Sequence, residues 1–282
     1  VVTLKTPPTT VVKSNVIYNL DGVNVAITSD HYPLYCDFKK PTGLEEYPKA
    51  EGDLRIGNYF LTYCKGTDGV IDYDRTGRII AKMNADIVCL QGLDKETERS
   101  EGIDQLNVLA QKANMYDYFA KAIDYKGGEF GVGILTKEEP VSVDRYQMAG
   151  KSEMRAAMVV EYEKFVVAST NFDTDMAKRI EALQTLETKL SAYNKPAFLL
   201  GYFNEGDLES EFFQMVKSNW NLLSADKSTE VSGKKRRLDF IVSLKSHNVN
   251  VTQADVIESL SGVDVTVAST HYPLFCDFSG LK

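Results

Sequence analysis

A chain of 282 residues with 43% hydrophobic and 26% charged side chains has the composition of a soluble globular protein, long enough for one large domain or two small ones. No apolar run in the sequence approaches the roughly 20 residues that a membrane helix needs. The formal net charge of −8, from 32 basic against 40 acidic residues, argues against nucleic acid as partner, because surfaces that bind polyanions neutralise phosphates with Lys and Arg.

The first segment returns near the end of the chain. Residues 27–38 read ITSDHYPLYCDF and residues 267–278 read VASTHYPLFCDF. A shift of 240 residues aligns 1–38 with 241–278 without a gap, and 18 of those 38 positions are identical. So much identity marks a duplication with a domain-sized period. Residues 1–38 are therefore expected to be a partial repeat of the domain's C-terminal strands, the tail of an upstream or a swapped unit. A linker over 39–53 and a complete domain over 54–278 follow. Only one tail can fill a given place in a sheet, and the C-terminal one, joined directly after Asp239, is expected to fill its own. The spare tail then pairs elsewhere, with an upstream homologous domain or with a second copy through strand exchange.

Beyond the linker, strands and helices alternate. Short runs rich in Val and Ile predict strands over 85–91, 130–137, 155–162, 164–170, 196–203, 239–245 and 263–269. Helices fit 74–84, 102–114, 175–193 and 208–218. In the third helix Met176, Ile180, Leu183, Leu186 and Leu190 recur at steps of three and four, which sets one apolar stripe against a sheet. The strands on either side of Glu163 meet in a tight hairpin, so the sheets are mixed. Two mixed sheets flanked by helices fit this pattern.

Four cysteines, Cys36, Cys64, Cys89 and Cys276, show neither CxxC nor zinc spacing and read as buried free thiols. They leave the compartment open. The sequence begins at Val1 rather than Met, as it would after removal of an N-terminal segment and export from the cytoplasm, or within a longer gene. Lys234-Lys235-Arg236-Arg237 reads as a solvated hairpin before a strand. Gly127-Gly128 reads as a turn feeding one, since no Lys-Ser/Thr or opening helix follows.

Six phrases carry a family signature: LRIGNYFLTYCKGTDGVIDYDRTGRIIAKMNADIVCLQGLD, KGGEFGVGILTK, FVVASTNFD, FLLGYFN, RRLDFIVS and ASTHYPL. In order and spacing they resemble the endonuclease/exonuclease/phosphatase superfamily over residues 54–274. The resemblance implies a four-layer α/β sandwich with its site at one end of the paired sheets. It also implies magnesium-assisted phosphoester hydrolysis: a carboxylate holds Mg²⁺, the metal polarises the phosphoryl oxygen, an Asp-oriented His contacts the phosphate, and an Asp–x–Asn pair positions the attacking water.

Carried over residue by residue, the match keeps Asn204, Asp239 and His271 and changes five other positions. Cys64 stands where the family has Asn, and Gly92 where it has the metal-binding Glu. Asn171 stands in place of His, Tyr202 in place of the water-positioning Asp, and Thr270 in place of the Asp before His271. Without anionic oxygens a doubly charged cation has little reason to leave water. The N-terminal copy keeps the phrase intact as Ser29-Asp30-His31. The residues therefore point to a catalytically inactive member with a binding, scaffolding or regulatory role and no cofactor. The alternative is an active Mg²⁺-dependent phosphodiesterase or phosphatase completed by Asp30 and His31. Each surviving position also has a structural role open to it: His271 bonded to Asp239, and Asn204 closing a turn after its strand.

Overall fold

The computed structural model describes residues 10–17, 31, 34–39 and 47–282. Two compact units divide the chain, Val1–Pro48 and Lys49–Lys282. The first holds a two-stranded antiparallel sheet of β1 (Thr10–Val16) and β2 (Leu34–Lys39).

The second unit is built on twelve strands: β3 (Leu54–Phe60), β4 (Ile87–Lys95), β5 (Tyr116–Tyr125), β6 (Gly128–Thr136), β7 (Ser142–Met148), β8 (Arg155–Glu161), β9 (Val166–Asn171), β10 (Ala197–Tyr202), β11 (Trp220–Leu222), β12 (Asp239–Leu244), β13 (Asn250–Val256) and β14 (Leu274–Ser279). They form two six-stranded mixed sheets, in the orders β13-β14-β3-β4-β6-β5 and β11-β12-β10-β9-β8-β7. In each sheet one parallel pair, β3 with β4 and β9 with β10, is joined by a helical crossover.

Side-chain oxygens fix where the helices start. Asp72 accepts from Arg75 N ahead of α1 (Tyr73–Lys82), Asp104 from Asn107 N ahead of α2 (Gln105–Ala113), and Asp175 from Ala177 N and Lys178 N ahead of α3 (Met176–Leu190). Ser210 and Asp264 do the same for α4 (Glu211–Asn219) and the short α5 (Val265–Ala268). Each cap satisfies one of the orphan amides of a first turn. The strand expected over 263–269 is α5 instead, because Asp264 captures Thr266 N and turns the alternating run into a helical turn.

The alternation of the strands divides the core in two. Ala156, Met158 and Val160 of β8, Phe198 and Leu200 of β10 and Ile241 of β12 face the other sheet, where they meet Ile56, Cys89, Ile134 and Cys276. Their neighbours Ala157, Val159, Leu199, Phe240 and Val242 face outward, under Leu183, Leu186 and Leu190 of α3 and Phe212, Phe213 and Val216 of α4. Helix α2 packs on β4, β5 and β6 of the first sheet, and α1 packs against α2. The result is a four-layer α/β sandwich. Among the described residues no helix is long and apolar enough to cross a membrane.

Strand β14 lies between β13 and β3, with Leu274 opposite Asn58 and Phe278 opposite Leu54, so the C-terminal tail fills its own sheet. The strand pairing β1–β2 matches that of β13–β14 in every recorded pair. Thr10 faces Lys39 as Asn250 faces Ser279, Val16 faces Leu34 as Val256 faces Leu274, and the slip between Val11 and Lys13 recurs between Val251 and Gln253. Such a slip re-aims a strand and is a built feature of its sheet.

Arg55 of β3 is fully buried. Its Nε and Nη2 each donate to Asp277 of β14 at 2.7 Å, its Nη1 donates to Met83 O at 3.0 Å, and its guanidinium lies 4.0 Å from the centre of the Phe275 ring. Removing one partner of such a pair strands a charge in the interior. Asp277→Asn is expected to lower the unfolding free energy by about 3–5 kcal/mol in urea titrations, and the double change Arg55→Met with Asp277→Leu to recover most of that loss.

Candidate functional site

Topology gathers the family positions at one end of the sandwich. The parallel strands β9 and β10 finish side by side with Asn171 opposite Tyr202, and β12 begins there with Asp239 opposite Tyr202. Facing them in the other sheet, β3 finishes with Phe60 opposite Gln91 of β4. The segment before β14 delivers Ser269, Thr270 and His271 to the same end, where Val231 N donates to Thr270 O at 3.0 Å and Tyr272 N to Thr229 O at 2.8 Å.

Two of the three positions that match the family, His271 and Asp239, are brought together. His271 Nδ1 lies 2.6 Å from Asp239 Oδ2, and Thr229 Oγ1 donates to the same oxygen at 2.6 Å. Thr229 in turn accepts from Leu238 N and Asp239 N, so the carboxylate sits in a small closed network. Asp239 is fully buried, and among the described residues its Oδ1 has no hydrogen-bond partner. Asn204, at a left-handed φ of 54°, donates to Phe172 O at 2.7 Å and to Asn171 Oδ1 at 3.4 Å. Its amide thus pins the loops after β9 and β10 to each other, the turn-closing role that its residue type suggests.

The replaced positions are filled with neutral groups. The Tyr202 ring stacks edge-on against His271 at 4.8 Å and tilted against Phe60 at 4.7 Å, and Phe60 itself lies 4.7 Å from His271. Burial first, then the Asp239 carboxylate, pushes the Tyr202 phenol up. The Thr270 hydroxyl lies 2.9 Å from that of Thr62, which also approaches Ser269 Oγ at 3.3 Å. Gly92 is the extra residue of a bulge in β4 at φ +74°, and a Cβ built there would lie 3.3 Å from Phe60 Cε2 and 3.4 Å from Thr62 N. Cys64 is buried, with its thiol pushed up to about 12, chiefly by burial. Tyr63 turns to Arg99, whose guanidinium lies 3.6 Å from the ring centre and pairs with buried Asp94 at 2.7 Å. Asp30 lies outside the described residues, and His31 is exposed. Among the described residues no group of three or more His, Cys, Asp and Glu side chains is arranged to hold a metal ion.

Two further features had no signal in the sequence. Thr229, the partner of Asp239, lies in a stretch without a family phrase. Gln91 Nε2 donates to Asn58 Oδ1 at 2.8 Å and reaches Ser169 Oγ of the facing sheet at 3.2 Å, a buried polar bridge between the sheets. Beside Asn204 a cleft of about 500 Å³ is lined by Glu205, Asp207 and Asp226 together with Lys235, Arg236 and Arg237. Its charges largely cancel: Arg236 pairs with Glu230 at 2.7 Å and holds that carboxyl down to about 2, and Arg237 pairs with Asp226 at 3.3 Å.

A helix–sheet–sheet–helix sandwich with a buried His–Asp pair at the ends of its parallel strands defines the class of fold. The chain belongs to the endonuclease/exonuclease/phosphatase family, whose model matches residues 58–261. Among solved structures, an endonuclease/exonuclease/phosphatase from Beutenbergia cavernae superposes with a TM-score of 0.69 at 18% identity, over 82% of this chain and 73% of that one. A mannosyl-6-phosphatase from Bacteroides thetaiotaomicron gives 0.61 at 15%, over 80% and 99% of the two chains. The 2′,3′-cyclic phosphatase ANGEL2 gives 0.62 at 12%, over 80% and 95%. At these identities the likeness establishes the shared fold. No curated protein matches the sequence.

Two outcomes follow from this geometry. Because only the thiolate attacks, iodoacetamide at about pH 8 should leave Cys64 and Cys89 unmodified in the folded chain and label both in denaturant, as read by peptide mass mapping. A side chain at the backbone angles of Gly92 is strained, so Gly92→Glu should destabilise the fold by about 1–3 kcal/mol in denaturant titration.

Proposed function

We propose that this family member has given up phosphoester hydrolysis and that its body now binds, scaffolds or regulates. The observation that carries the reading is Gly92. The position of the family's metal carboxylate holds a glycine in left-handed backbone, closed over by Phe60 and Thr62. A side chain at these backbone angles would be strained and would crowd Phe60 and Thr62. The groups that remain at this end of the sandwich are hydroxyls, amides, a thiol held protonated, an imidazole occupied by Asp239 and the single carboxylate of Asp239 itself. They do not fit Mg²⁺, a hard cation that asks for carboxylate oxygens.

Tyr202 supports the same reading from the other sheet. Its ring rests on His271 and Phe60 where the family places a water-positioning Asp, and it makes this end partly apolar. Cys64 offers no substitute nucleophile, since its thiol is buried and protonated. The alternative, a Mg²⁺-dependent phosphodiesterase or phosphatase completed by Asp30 and His31, restores one carboxylate and leaves Gly92 and Tyr202 unchanged.

The test is a calorimetric titration of the full chain with Mg²⁺ and with Mn²⁺, combined with turnover of bis(p-nitrophenyl) phosphate. No saturable heat and no turnover above the rate without protein are expected. Saturable metal binding together with turnover that a chelator abolishes would overturn the reading.

A further inference from the structure

The pairing of β1 with β2 reproduces that of β13 with β14, including the slip, yet the two hairpins differ in what flanks them. Strand β14 is hydrogen-bonded on both edges, to β13 and to β3, whereas among the described residues β2 pairs with β1 alone. The difference registers at equivalent leucines: Leu274 at the start of β14 is fully buried, and Leu34 at the start of β2 is 58% exposed. An unpaired strand edge with an exposed apolar side chain is a template for another strand.

The sequence of β2 specifies which strand. In β14, Phe275 and Asp277 hold Arg55 of β3, one through its ring and the other through a two-pronged ion pair. The same places in β2 carry Tyr35 and Asp37, again an aromatic and an acid two residues apart. A strand that binds β2 as β3 binds β14 would set its own arginine opposite Asp37 and a small residue opposite Tyr35, as Arg55 and Gly57 stand opposite Asp277 and Phe275. The β3 of this body is not free for the role, since β14 and β4 take both of its edges.

We propose that the hairpin β1–β2 is the closing hairpin of a second body of this family, and that the open edge of β2 takes the β3-type strand of that body in the register Leu34 to Asn58, Cys36 to Ile56, Phe38 to Leu54. The partner is recognised by chemistry: an apolar strand carrying arginine at the Arg55 place, with no closing hairpin of its own. Residues 10–39 and 250–279 then do the same work in two separate bodies, and the polypeptide between them bridges two sandwiches. This assignment holds whether or not either body hydrolyses phosphoesters.

The probe is a labelled peptide with the sequence of residues 53–61, DLRIGNYFL, added to the full chain. Binding should slow hydrogen exchange at the amides of residues 34–39, and Asp37→Asn should weaken it by about tenfold or more, as loss of one partner of a buried charge pair does. A peptide with leucine in place of its arginine should weaken to a similar degree. No protection of residues 34–39, or protection indifferent to Asp37→Asn, would overturn the proposal. Ile56→Cys in the full chain separates the possible occupants, because both Cys276 and Cys36 have the register to meet a cysteine at that place. Oxidation should link position 56 to Cys276 within one molecule, and the chain should sediment as a monomer. A dimer linked from position 56 to Cys36 would mean that the occupant is a second copy of this chain, and would overturn the assignment to a separate body.

Discussion

Arg55 and Asp277 are separated by most of the sequence, and their pairing decides how the second unit closes. The strand carrying Asp277 is the last of the chain, and it has to enter between β13 and β3, next to the first strand of the same unit. Apolar pairing alone would leave its register less determined, because β14 is buried on both faces and one slip would exchange Phe275 for the apolar Leu274 or Cys276. A guanidinium fixed by Met83 O and the Phe275 ring accepts a carboxylate at one position only. Buried ion pairs contribute little net stability, but a mispaired one is very costly, so this pair acts mainly on register. Once β14 is in register, Ser269, Thr270 and His271 arrive at the end of the sandwich where Asp239 waits.

The same electrostatic rule accounts for the chemistry of that end. Carboxylates clustered at a low-dielectric site need a cation to offset their repulsion. On the proposed reading, a body that stops holding metal keeps such carboxylates at a cost, and their replacement by groups without charge relieves it. Gly92, Tyr202 and Thr270 are replacements of that kind. Asp239 survives because its charge is balanced locally: Thr229 donates to it, and His271 lies within hydrogen-bond distance of the same oxygen. Arg236 and Glu230, and Arg237 and Asp226, repeat the local pairing in the neighbouring cleft.

Much of the fold was legible in the residues, and the reasons for success and failure are physical. Helices α1 to α4 and the buried strands β4, β6, β8, β9, β10 and β12 were expected near their observed places, since continuous Val, Ile and Leu runs and capped amphipathic stretches are local signals. Strands β3, β5, β7, β11, β13 and β14 were given no range: Tyr116–Tyr125, Ser142–Met148 and Asn250–Val256 carry polar and charged side chains on exposed faces, Trp220–Leu222 has only three residues, and Leu54–Phe60 and Leu274–Ser279 break their apolar runs with Arg55, Asn58 and Asp277. Residues 263–269 alternate like a strand, yet Asp264 is a better cap than strand former. At the candidate site, the family phrases singled out Asn204, Asp239, His271 and five other positions, of which His271 and Asp239 lie within hydrogen-bond distance. They did not reveal Thr229 or Phe60, whose roles come from packing across loops rather than from a motif. Nor did they place Tyr63, which lies under Arg99.

The turn after β3 shows main-chain geometry held independently of its side chains. Thr62, Tyr63 and Cys64 all lie at positive φ, between 48° and 58°, a conformation that each L-residue adopts at a cost. The strain is held by main-chain bonds that ignore side-chain identity: Cys64 N to Leu61 O, Lys65 N to Thr62 O and Asp72 N to Cys64 O. Gln105 adds a bond from α2 to Tyr63 O at 2.9 Å. None of these bonds depends on the side chain at Cys64, so the bend carries the chain into Asp72 and α1 whatever stands there. The backbone here serves the entry of the chain into α1 and its packing against α2, and that service is reason enough for the strained turn.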